Sequence, residues 1–208
     1  MFIARHPVVE NQFCSYGAVA GGSAGIGGVV AYAGSVVYLD ASAVNEEPIV
    51  YKMAYNATPY TPFGFNMQKV KTGYHQVHPA GYTMPGDLGS SDVIAQPAYN
   101  SSGAITGTKA APVGVAHLGI WDTVHYTCTS VASVPSVKMA PGDSLYAAND
   151  EAKVTNNVTA AADANDLTTG ENVSTTVIAR VMKGASLAKC QANVANTTLY
   201  PIRIKLLI

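Results

Sequence analysis

The sequence predicts an all-β protein, a barrel or sandwich of short antiparallel strands with long irregular loops. Three observations predict it. Apolar and polar residues alternate with period two in several short runs, as in strands with one buried face. Glycine and proline, 19 and 11 of 208 residues, punctuate those runs. No stretch carries the apolar spacing of a long amphipathic helix.

Residues 1–28 read as an N-terminal arm followed by a Gly-rich loop. Gly17 to Leu39 carries no charge, and Gly17, Gly21 and Gly25 have the spacing of a packed membrane-helix face. Seven glycines and no basic flank argue against a span, so no membrane partner is expected. Residues 29–71 form a first β unit, with one or two strands in Val29 to Leu39, then Ile49 to Tyr55, Phe63 to Met67 and Lys69 to Lys71. Residues 72–108, broken by nine glycines and prolines, read as a long interaction loop.

Residues 109–208 form the main β domain. Val113 to Trp121 is nearly continuously apolar, as in a strand covered on both faces. In Thr123 to Cys128, Val124 and Cys128 fall on the apolar side and His125 on the polar side. Pro141 to Asp150 is a turn feeding a short strand and then a second turn. Residues 154–174 read as an insertion, with Ala160 to Asn165 as one helical turn or a loop. Val177 to Lys183 and Ile202 to Ile208 are the clearest strands, the second expected to be paired into a sheet up to its end.

Charged residues make up 12% of the chain against about 25% in an ordinary domain. So poorly charged a surface is expected to be covered by partners or by copies of itself. The net charge of −1 gives no reason to expect a nucleic-acid partner. Met1 to Pro7 lacks the basic start and apolar run of a secretory leader. Cys14, Cys128 and Cys190 are odd in number and widely spaced, so a disulfide framework is not expected and a reducing compartment fits better.

The bases are unevenly distributed. Arg180, Lys183, Lys189, Arg203 and Lys205 follow Glu171 with no acid among them, whereas Asp143, Asp150, Glu151, Asp163, Asp166 and Glu171 precede them with one base, Lys153. Cross-strand pairing of the two sets within one sheet is the simpler account. The alternative is a basic edge that docks on an acidic partner surface.

Gly142-Asp143-Ser144-Leu145 matches the signature of a serine hydrolase family, and Asp122-Thr123-Val124-His125 supplies an Asp-x-x-His. In those enzymes the serine block precedes the Asp-x-x-His, on an α/β scaffold. Here the order is reversed and the helices are missing, so an esterase built on Ser144, His125 and Asp122 is the disfavoured alternative. His75 with His78, and His125 with Cys128, have metal-ligand spacing, but the last two lie on opposite strand faces. Gly21 to Gly28 fits no nucleotide-binding loop. No metal or other cofactor is expected. Twelve tyrosines and Trp121 leave a glycan-binding module of a fibre or spike as a second alternative.

The Pro141 segment has an echo in Ala33-Gly34-Ser35-Val36-Val37-Tyr38-Leu39-Asp40, so an internal duplication of a turn-strand unit is expected. Pro141 to Tyr146, then Val177-Ile178-Ala179-Arg180-Val181, then Ile202 to Leu206, resembles the capsid decoration, or cement, proteins of tailed bacteriophages. The resemblance covers residues 137–208 and, more faintly, 29–70. It implies a protein without catalytic residues that is made in the host cytoplasm, sits on the capsid outer surface of the virion, binds the major capsid protein and forms a homotrimer. Contact candidates under this reading are Arg180, Lys183, Lys189, Arg203 and Lys205, with Tyr74, His75, His78 and Tyr82 from the long loop.

Overall fold

The computed structural model describes residues 2–5, 11–17, 29–42, 48–72, 92–95, 97–99, 101–102, 105–108, 111–131, 134–162 and 171–208. In chain order the strands begin with β1 (Phe2–Ala4), β2 (Asn11–Tyr16), β3 (Val29–Ala31), β4 (Val36–Leu39), β5 (Ile49–Lys52), β6 (Pro62–Asn66) and β7 (Lys69–Thr72). Then come β8 (Asp92–Ala95), β9 (Pro97–Tyr99), β10 (Ile105–Thr108), β11 (Ala111–Ala116), β12 (Ile120–Thr123) and β13 (Tyr126–Thr127). The chain continues through β14 (Ser130–Val131), β15 (Val134–Pro135), β16 (Ser144–Ala147), β17 (Val154–Thr155), β18 (Ala179–Lys183), helix α1 (Leu187–Val194) and β19 (Ile202–Leu206). The all-β class holds, with curled sheets and a small closed barrel.

Two modules share one plan. In the first, the order β11-β2-β5-β4-β6 closes into a barrel. Its β2–β5 pair is parallel and its other neighbours are antiparallel. In the second, β13 pairs in parallel with β17, followed by antiparallel β16, β18 and β19. Strand β12 lies antiparallel on β19, and only Val124 and His125 separate it from β13. The run 120–127 thus reaches from β19 to β17 as β2 reaches from β11 to β5. The β1 strand extends the second module beyond β12.

Period-two alternation fills both interiors. Cys14, Tyr16, Val37, Val50, Val113 and Val115 are buried together in the first module. Thr123, Tyr126, Leu145, Val154, Ile202 and Ile204 take the matching positions of the second. Each large apolar side chain buried this way contributes about 1.5–3 kcal/mol. The outward face of the first barrel is buried too: Val36, Phe65 and Ala116 join Phe2 and Trp121 in one core. There the Phe2 ring stacks on Trp121 at 4.4 Å and on Phe65 at 5.8 Å, fastening β1 and β12 to β6. The four residues Val113 to Ala116 are all buried, as their apolar run predicts, but the run to Trp121 is not one strand: it breaks at an exposed Leu118, and Trp121 belongs to β12 in the other sheet.

The echoed segments fold alike. In each, the first residue (Tyr32 or Ala140) accepts from the N–H three residues on (Ser35 or Asp143) at 3.1 Å. The side-chain oxygen of that fourth residue accepts the first residue's N–H, at 3.1 Å for Ser35 and 2.8 Å for Asp143. Gly34 and Gly142 sit at φ +94° and +92°, which a type II turn requires at its third position. Each glycine N–H then donates to the neighbouring strand, Gly34 to the Asn66 carbonyl and Gly142 to the Val181 carbonyl, and those partners' N–H groups donate to the residue after the glycine, Ser35 and Asp143.

Three expectations need correction. Residues 2–4 and 11–16 are paired strands of the two modules and not an arm; short strands with few alternations leave little periodic signal. The 72–108 stretch contains β8, β9 and β10. Within 154–174, the described residues are no loose insertion: Val154 and Thr155 form β17, and Asn157, Asn172 and Ser174 are buried. Helix α1 is short and buries only Cys190 and Asn193 of its eight residues, too few to mark a helical period in the sequence.

Candidate functional site: a cationic sheet face

The alternation that buries Ala179, Val181, Ile202, Ile204 and Leu206 turns Arg180, Arg203 and Lys205 to the other side of the sheet. A bulge between Val181 and Lys183 brings Lys183 opposite Arg203. Arg180 stands opposite Lys205. Two like-charged pairs therefore face each other directly across β18 and β19, an arrangement that destabilises a sheet. Arg5 adds a fifth base at the β12 side through its ion pair with Asp122.

Asp122 is the acid of this face. It is nearly buried and receives Arg5 Nε at 2.7 Å on Oδ2, with Arg203 Nε at 2.8 Å on Oδ1. Arg203 Nη2 also donates to Oδ2 at 3.2 Å. The Arg203 hydrogen bonds, then those of Arg5, hold the carboxyl below its ordinary range against the opposing effect of burial. Arg180 Nη1 donates to the Gly142 carbonyl at 3.2 Å. Among the described residues, no carboxylate lies within ion-pair distance of Arg180, Lys183 or Lys205.

Among the described acids that precede these bases, Asp143, Asp150 and Glu151 are taken up elsewhere, against the simpler account of the charge asymmetry; Asp163 and Asp166 lie outside the described residues. Asp143 accepts from Ala140 N–H and from Asn156. Asp150 pairs with Lys153 at 2.6 Å and Glu151 with Lys52 at 2.7 Å. Lys189 stands apart on α1, its Nζ 5.4 Å from the centre of the Tyr200 ring. Tyr74, His75, His78 and Tyr82 lie outside the described residues.

Ser144, His125 and Asp122 are not brought together by hydrogen bonds. Ser144 lies in the sheet opposite Arg180, and the Asp122 carboxylate is taken up by the two arginines. His125 is buried, not on a polar outer face, with Nε2 3.1 Å from Ser35 Oγ and 3.0 Å from the Glu151 carbonyl. Burial is the main cause that pushes its pKa down to about 3. Nε2 donates and Ser35 Oγ–H donates to Glu151, so the pair is a structural tie. Cys128 is buried, and the neighbouring Cys190 together with that burial raises its pKa. Among the described residues no group of three or more His, Cys, Asp or Glu could hold a metal ion.

Sequence reading found the bases of the face but missed Arg5 and the like-charged facing. The second is a matter of register, which no spacing within one strand encodes. Comparison with protein-family models, curated proteins and solved structures finds no match.

Proposed function

We propose that this chain is a structural virion protein that docks on the outer surface of an assembled phage capsid and stabilises it. The observation that carries the reading is the cationic face: two like-charged cross-strand pairs kept at a cost to the isolated fold. An acidic surface on the major capsid protein would supply the missing counter-charges, setting the register and steering the encounter. The same barrel face in the first module is apolar and buried against the second, so this plan already uses that face for docking. A homotrimer would multiply such contacts by avidity.

The test is co-sedimentation of the pure full-length chain with capsid shells of the virus whose particles contain it, as identified by particle proteomics. Binding should weaken as salt rises and fall at least tenfold in Lys183→Glu/Lys205→Glu, with light scattering giving a trimer. The same double variant should be no less stable than the parent, because both substitutions remove facing like charges. Binding indifferent to salt and to both reversals would overturn the reading.

A further inference from the structure

Four bases of the cationic face stand at the corners of a small rectangle. Arg203 and Lys205 lie two residues apart on β19, about 7 Å along the strand. Opposite them on β18 stand Lys183 and Arg180, about 5 Å across the ladder. Arg180, Lys183 and Lys205 are exposed, and Arg203 is half-buried against Asp122.

Two of the corners are specially made. Strict alternation along β18 buries Ala179 and Val181 and would turn Lys183 inward with them. The bulge at Val181 to Lys183 turns Lys183 outward instead, opposite Arg203. The free fold gains nothing from a base there, because an uncharged side chain would avoid the repulsion across the ladder. Asp122 receives Arg203 Nε and Nη2, which fixes that guanidinium in place. Arg180 gives one N–H to the Gly142 carbonyl and keeps its other donors.

The first module indicates the shape of chain that suits this face. There the matching residues Val36, Phe65 and Ala116 are covered by strands, in one core with Phe2 of β1 and Trp121 of β12. In an extended segment, alternate side chains share one side at a spacing of about 7 Å. That is the spacing of the two like-charged pairs. We infer that the partner, on the docking reading of this face, presents an extended segment with acidic residues at alternate positions along β18 and β19. One carboxylate would lie between Arg180 and Lys205 and the next between Lys183 and Arg203. Each has two oxygens and can accept from both members of its pair.

The experiment is an NMR titration of the isotope-labelled full chain at low salt, with end-blocked peptides of one composition. In Thr-Thr-Glu-Thr-Glu-Thr-Thr the acids alternate, and in Thr-Thr-Glu-Glu-Thr-Thr-Thr they are adjacent. The first should bind about fivefold tighter, the gain from one further exposed charge contact, with shifts at residues 180–183 and 203–205. Arg180→Ser/Lys205→Thr removes one pair, so both peptides should then bind alike, while unchanged first-module shifts report an intact fold. Equal affinity of the two peptides for the parent, or a preference kept in the folded variant, would overturn the inference. So would tighter binding of an Ala-rich helical peptide with two glutamates four residues apart, or of an oligothymidylate of equal charge. Peptide preference without capsid co-sedimentation would keep the acidic strand and discard the capsid as its source. Co-sedimentation without peptide preference would do the reverse.

Discussion

The two modules repeat one strand order and one entry turn, yet they treat the same surface in opposite ways. On the outward face of the first barrel stand Val36, Phe65 and Ala116, all fully buried. At the matching register positions of the second stand Ser144, Arg180 and Lys205, half-buried or exposed. Local pairing demands only that a strand have an inward side. What the outward side carries depends on what it meets: the first module meets the second, and the second meets solvent.

The turns divide likewise. The hairpin joining β16 to β17 has Glu151 and Ala152 at φ +52° and +54°, with Lys153 N–H bonded to the Asp150 carbonyl, a type I′ turn without glycine. Such backbone costs free energy for residues with a side chain. It persists because its tip is tied to the first module's entry turn. Ser35 Oγ donates to the Glu151 carbonyl, and Val36 N–H donates to the Ala152 carbonyl at 2.8 Å. Gly142, in the second module's own entry turn, is exposed and has open space where a Cβ would stand. One turn became a joint and its twin remained a surface turn.

The largest expected effect contrasts the two glycines. A Cβ on Gly34 would lie 3.0 Å from Thr123 Oγ1 and 3.2 Å from His125 Cβ, in addition to its left-handed φ. Gly34→Val should therefore lose about 3 kcal/mol or more in urea denaturation, from strain and overpacking together. Gly142→Val should lose about 1–2 kcal/mol, from strain alone. Equal losses would erase the distinction between joint and surface turn.

Next comes pH. His125 sits at the joint, beside Ser35, the Tyr32 ring and the Glu151 carbonyl, with Lys52 and Lys153 near enough to disfavour its charge. Its folded pKa is depressed to about 3 from 6.5, so the unfolded chain binds the proton first. The stability associated with neutral His125 is complete above pH 6.5 and is lost as pH falls from there toward 3. Denaturation at pH 7 and at pH 4.5 should differ by about 2–3 kcal/mol more in the parent than in His125→Gln, at about 1.4 kcal/mol per pH unit. An identical pH dependence in both would remove His125 from the joint's energetics.

The capping oxygens should rank the same way. Ser35→Ala should cost about 1–3 kcal/mol, since the buried Ser35 hydroxyl is what satisfies the Tyr32 N–H and shares the Glu151 carbonyl with His125. Asp143→Ala, at the half-exposed turn, should cost about 0.5–1.5 kcal/mol. Smallest of all, Ser144→Ala should stay within about 0.5 kcal/mol by thermal melting. A larger loss there would mean the second module's outward face is packed against something in the free protein.

Alternation and turn chemistry are enough for the all-β class, for the strands between Val29 and Lys71, for those at Ser144, Ala179 and Ile202, and for the twinned turn. Each of these is encoded locally, in alternation, in Pro-Gly or Ala-Gly, and in an oxygen-bearing side chain next in line. Tertiary structure alone decided that the twin turns head two modules of five matching strands. Strands of two to six residues, such as β13 and β17, carry too few alternations to be counted as repeats. It alone decided that His125 is an interior tie and that Ser144 is one register position in a sheet. It also decided that Arg180 faces Lys205 and Lys183 faces Arg203. Register between strands distant in sequence is set by which apolar sets must share a core, and a bulge at Val181 to Lys183 then chooses which charges meet outside it.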